Sequence, residues 1–167
     1  MTEKQRKKRL CIKWMCVAAW AVIAVSLSHQ EGIATSELSY GISERICGVL
    51  EGLGFIVSVG DVNYLLRKAA HILIYLVFGG LIYDTLACTL NKPAGRTILL
   101  SAAVCLSASV LDETQKIFIS GRHCDPEEIL LNFIAAVSGI LIVYFANKTN
   151  AGRNHNVEET AGQSSAP

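Results

Sequence analysis

Four blocks of apolar residues are separated by more polar stretches along this chain. Residues 10–27 carry one charge, Lys13, and residues 69–90 are interrupted only by His71 and Asp84. A third run, 98–111, has no charge, and neither has the fourth, 129–146. A helix needs about 20 apolar residues to cross roughly 30 Å of hydrocarbon, so each block predicts a membrane span. The third reaches that length only by continuing to about Phe118. Its acidic pair, Asp112 and Glu113, then belongs to the spanning helix or its end.

Between the first and second blocks, Ile42, Ile46, Val49, Leu50 and Leu53 recur at helical spacing, with Glu44, Arg45 and Glu51 elsewhere on the wheel. This predicts a short amphipathic helix on the headgroups or over the bundle, with Ser43 capping its start. The expected fold is all-α, an integral membrane four-helix bundle with that short helix in its outer loop. Residues 1–9 form a basic cytoplasmic segment, 10–146 the membrane domain, and 147–167 a polar tail whose composition predicts disorder. No internal repeat is present.

Composition supports this reading. The chain is 51% hydrophobic and 17% charged, where a soluble domain has about a quarter of its residues charged. A net charge of +1 gives no basic field for nucleic acid, and there is no Gly-rich phosphate loop. Cys11, Cys16, Cys47, Cys88, Cys105 and Cys124 form no CxxC or His-spaced set, which argues against zinc. The basic start and first block have the outline of a signal peptide. However, the bulk of Trp14 and Trp20 and the lack of a small-x-small cleavage site favour a retained span.

Orientation follows from basic residues. Lys4, Arg6, Lys7, Lys8, Arg9 and Lys13 mark the N-terminus as cytoplasmic, and Lys92 and Arg96 do the same for the link at 91–96. Alternation puts the C-terminus inside and residues 28–68 and 112–128 outside, Cys47 and Cys124 among them. Two isolated outer thiols make no disulfide framework.

With that orientation, three helix ends carry their polar residues to one face. Arg67, Lys68 and His71 open the second span; Asp112, Glu113, Gln115 and Arg122 close the third; Asp125, Glu128 and Asn132 open the fourth. Steps of three and four align Lys68, His71, Tyr75 and Gly79, then Ala102, Cys105, Ser109 and Asp112, then Glu128, Asn132, Ala136 and Gly139. Small residues deeper in each stripe let helices approach closely in lipid. Asp125-Pro126-Glu127-Glu128 reads as a helix start, with Asp125 as N-cap, Pro126 at the first position and Glu128 at the capping-box position. Capping competes with function for Glu128 and outweighs it for Asp125. Asp84 reads as an interfacial charge. Ionisable groups at membrane depth are functional candidates, and Asp112 with Glu113 stand first.

Arg67-Lys68-Ala69-Ala70-His71 with Tyr75 and Gly79, then Asp112-Glu113, Gln115, Phe118, Gly121-Arg122, Glu128 and Asn132, resembles the VanZ-like family of bacterial membrane proteins. The Ser- and Glu-containing stretch after residue 27 also resembles a segment of that family. Asn132 departs from it, since many relatives have a second carboxylate in the fourth span, and Ala136 stands where many have glycine. The resemblance implies a cell-envelope role in the bacterial cell membrane and reduced sensitivity to glycopeptide antibiotics, teicoplanin above all.

Read as an enzyme on a lipid-linked or amphiphilic envelope substrate, the chain offers Asp112 or Glu113 as general acid or base and His71 as proton shuttle. Arg67, Lys68, Gln115, Arg122, Glu128 and Asn132 then bind substrate, the bases holding an anionic headgroup. No metal and no other cofactor is expected. The alternatives are a non-catalytic binder, which masks a lipid-linked cell-wall precursor or the lipid tail of a lipoglycopeptide, and a small transporter. The expected partners are membrane lipids and that amphiphile, with no nucleic acid.

Overall fold

The computed structural model describes residues 2–29, 34–90, 92–118 and 124–164. Every regular element among them is helical: α1 (Glu3–His29), α2 (Ala34–Gly52), α3 (Val59–Leu90), α4 (Ala94–Gln115) and α5 (Pro126–Ser164), with a 3-10 turn at Lys116–Phe118 closing α4. Four stretches are long and apolar enough to cross a membrane: Glu3–Leu27, Val59–Leu90, Ala94–Phe118 and Pro126–Asn150. The chain is an all-α membrane bundle. The helices outrun the apolar blocks because hydropathy marks only the lipid-facing length, whereas backbone hydrogen bonding continues into polar sequence. The helical backbone of α5 runs on past Ala146 over residues expected to be disordered. Extending an existing helix requires no new nucleus.

α3 is the hub and packs against α1, α2, α4 and α5. Its closest partner is α5, because three positions lack side chains where the backbones meet. A Cβ at Gly79 would stand 2.8 Å from Ala136 Cα, and one at Gly139 would stand 2.8 Å from the Leu76 carbonyl carbon. Gly80 faces Val143 and Gly139 in the same seam. In lipid such close packing replaces the hydrophobic driving force available in water. The matched order of these contacts makes α3 and α5 parallel. α1 runs antiparallel to α3, since Lys13 meets Asp84 at 2.6 Å near one end while Trp20 Nε1 donates to the Ile74 carbonyl at 3.0 Å further along. Asp84 is thus half of an inter-helix ion pair as well as a charge near the helix end. Ser109 Oγ donates across to the Ile129 carbonyl at 3.2 Å, which fixes α4 against α5.

All three polar-to-small stripes point inward. Tyr75, Gly79, Cys105, Ser109, Asp112, Asn132, Ala136 and Gly139 are buried. α2 differs from expectation. Ser43 does not cap it but sits mid-helix, fully buried, with Oγ donating to Asn63 Oδ1 of α3 at 3.4 Å. The buried face of α2 is the small-residue side with Ser43 and Cys47, while Ile42, Val49 and Leu53 are exposed. Cys47 and Cys124 are free thiols.

Candidate functional site

The site begins where α4 ends. A helix brings positions three apart to one face, and two such pairs lie side by side here. Gln115 Nε2 donates to Asp112 Oδ1 at 2.9 Å. Lys116 Nζ donates to Glu113 Oε1 at 2.5 Å, and also to Glu128 Oε2 at 2.8 Å at the start of α5. Glu113 is fully buried and Lys116 is 4% exposed. A carboxylate in such a place is tolerable only beside a bonded cation. Lys116 therefore ties the third and fourth spans together.

The α5 start is built as the sequence predicts in part. Asp125 Oδ1 accepts the Glu127 amide at 2.9 Å, so Asp125 is the N-cap and Pro126 the first helical residue. The Glu128 carboxylate, by contrast, is spent on Lys116 rather than on closing a capping box. Two acids share one base, and two polar atoms among the described residues remain buried without a hydrogen-bond partner: Glu113 Oε2 and Asn132 Nδ2.

Above this network lies a cleft of about 160 Å³ between α3 and α5, lined by Tyr64, Arg67, Lys68, His71, Glu128, Leu131 and Asn132. Lys68 Nζ sits 4.7 Å from the centre of the Tyr64 ring, a cation–π contact that steadies its long side chain. His71 Nδ1 lies 3.3 Å from the Arg67 carbonyl oxygen, which makes Nδ1 the protonated nitrogen and leaves Nε2 for the cleft. His71 also faces Glu128 closely enough to act on it electrostatically. Asn132, 1% exposed, lines the same walls, and its Nδ2 is buried without a partner. Three basic side chains converge, which is the donor set for a phosphate or carboxylate.

The expected site residues therefore divide. Arg67, Lys68, His71, Glu128 and Asn132 share the cleft, while Glu113 is sealed beneath Lys116. Asp112 and Gln115 face another cavity, between α1, α3 and α4, where the Tyr75 hydroxyl is turned toward Asp112 and Ser109. Asp112 and His71 thus line different cavities. Arg122 and Gly121 lie outside the described residues. Among the described residues no three His, Cys, Asp or Glu side chains are grouped to hold a metal ion, and the ammonium of Lys116 stands between the two glutamates.

Lys116 is the central residue that sequence reasoning missed. The signal was there: it lies three residues after Glu113 and so on its helix face. A base beyond the apolar run reads most simply as a headgroup anchor, and only the approach of α5 turns it inward.

A family model described as VanZ/LLP1 matches residues 11–147. No curated protein and no solved structure matches the chain.

Proposed function

Because the chain belongs to the VanZ/LLP1 family of membrane proteins, we propose that it lowers bacterial sensitivity to glycopeptide antibiotics such as teicoplanin. In this reading it engages the anionic group of a lipid-linked or amphiphilic envelope molecule at the outer face of the cell membrane. One observation carries it: Arg67, Lys68 and His71 converge on a single cleft, with Asn132 in its wall. The excess of Lys and Arg before the first span and in the 91–96 link argues for an N-in, C-in arrangement, which turns the cleft outward.

If chemistry occurs there, His71 and the partly exposed Glu128 are the groups presented to a bound molecule. Non-catalytic binding is the second reading, and it is favoured by the placement of the acids. Glu113 is fully buried on Lys116, and Asp112 lines a different cavity.

The test is teicoplanin tolerance in a sensitive bacterium expressing variants at matched membrane levels. Arg67→Met and Lys68→Met should each bring tolerance down to that of cells without the protein. Full tolerance in both would sink the cleft reading. His71→Asn then separates the two mechanisms: it abolishes tolerance if a proton is transferred and leaves most of it if the cleft only binds.

A further inference from the structure

The cavity beside Asp112 has a different chemistry from the cleft. Its walls are Ala21 and Ala24 of α1, Ile74 and Phe78 of α3, and Ala108 of α4. The small side chains on α1 and α4 leave the space, and its rim residues Val25 and Leu111 are 45% and 69% exposed, so it opens sideways between α1 and α4. In a bilayer that opening meets hydrocarbon. The volume is about 180 Å³. An apolar cavity of about 150 Å³ is enough to bind benzene, so this one takes a chain segment of at least comparable carbon count.

One end is polar. Asp112, Gln115 and the Tyr75 hydroxyl close it on the side nearest the cleft's end of the bundle. A carboxylate has about four acceptor positions. Gln115 fills one of those on Asp112 and the Tyr75 hydroxyl a second, and no basic side chain lines the cavity. The charge there is negative and the unused capacity is for accepting hydrogen bonds.

We propose that this slot is a lipid-chain site, holding one hydrocarbon chain of a membrane lipid whose head offers N–H or O–H donors to Asp112. An ammonium head such as ethanolamine fits. A choline head has the same charge but no donor. Acidic headgroups belong to the basic cleft, not to this slot. The inference rests on the slot's own geometry and is independent of what the cleft binds.

Trp20 reports on the site, because it hydrogen-bonds Ile74, a wall residue, and adjoins Ala21. With Trp14→Phe it becomes the sole tryptophan. The full chain is reconstituted into phosphatidylcholine vesicles doped with lipid brominated on its acyl chains, carrying either an ethanolamine or a choline head. Bromine quenches tryptophan fluorescence on contact. Ethanolamine lipid should quench Trp20 more strongly than choline lipid at equal mole fraction, and Asp112→Leu should remove the difference. Ala108→Phe, or Ala24→Phe should the first fail to fold, should fill the slot and leave only the quenching of bulk lipid. Lys68→Met, a cleft variant, should change nothing here. Equal quenching by the two heads, or excess quenching that survives both filling variants, overturns the proposal.

Discussion

Lys116→Met removes the single cation shared by two carboxylates while keeping the side chain's length and apolar stem. In the native fold Lys116 bonds Glu113 at 2.5 Å and Glu128 at 2.8 Å, with their side chains 0% and 32% exposed. After the change Glu128 still reaches solvent, but Glu113 is left buried with no cation beside it. Removing one member of a buried ion pair costs about 3–5 kcal/mol, because the remaining charge is uncompensated. At about 2–4 °C per kcal/mol for a chain of this size, Tm falls by roughly 6–20 °C. Glu113→Gln leaves Lys116 its bond to Glu128 and should cost about 1–2 kcal/mol. The double variant Lys116→Met/Glu113→Gln has no buried charge and should recover at least half of the single-variant loss. Thermal unfolding in detergent can be followed with a thiol-reactive dye once the exposed Cys11, Cys16 and Cys88 and the half-exposed Cys124 are replaced by serine, since Cys47 and Cys105 are buried and become reactive on unfolding. A fall of less than about 2 °C for Lys116→Met would mean about 1 kcal/mol or less. That result, or a double variant no more stable than Lys116→Met, would refute the account of Lys116 as the necessary counter-ion.

Two further outcomes are expected. Gly79→Ala forces its Cβ into the Ala136 backbone, which unlike a side chain cannot move aside, and should cost about 1–3 kcal/mol by the same unfolding assay; Gly95→Ala, with nothing within 4 Å, serves as the neutral control. For orientation, alkaline phosphatase fused after Gly121 should be active and fused after Lys92 inactive, as the basic residues of the N-terminus and the 91–96 link require; the reverse pattern would put the cleft on the cytoplasmic side.

Much of this protein was legible in its sequence because the bilayer leaves few choices. A backbone in hydrocarbon must satisfy its own hydrogen bonds, so four apolar blocks imply four helices. Helical periodicity then determined which residues face inward, and the stripes of Tyr75–Gly79, Cys105–Asp112 and Asn132–Gly139 needed no knowledge of their partners. The same periodicity held only in part for α2. Of its apolar stripe Ile46 and Leu50 are half-buried, while Ile42, Val49 and Leu53 are exposed and the small residues Ser43 and Cys47 make the closest packing.

What only the tertiary structure decided is which polar residues meet. Sequence put Asp112, Glu113, His71 and Glu128 at one end of the bundle. Depth does not fix rotation about each helix axis, and neighbouring residues such as Asp112 and Glu113 point roughly 100° apart on the wheel. Packing of α4 between α3 and α5 sends Asp112 to the lipid-facing slot and Glu113 inward to Lys116. Lys116 itself is placed by the approach of Glu128, twelve residues away in sequence. Its bond to Glu113 is the local, three-residue part of its role; the bond to Glu128 is long-range, and no local pattern encodes that.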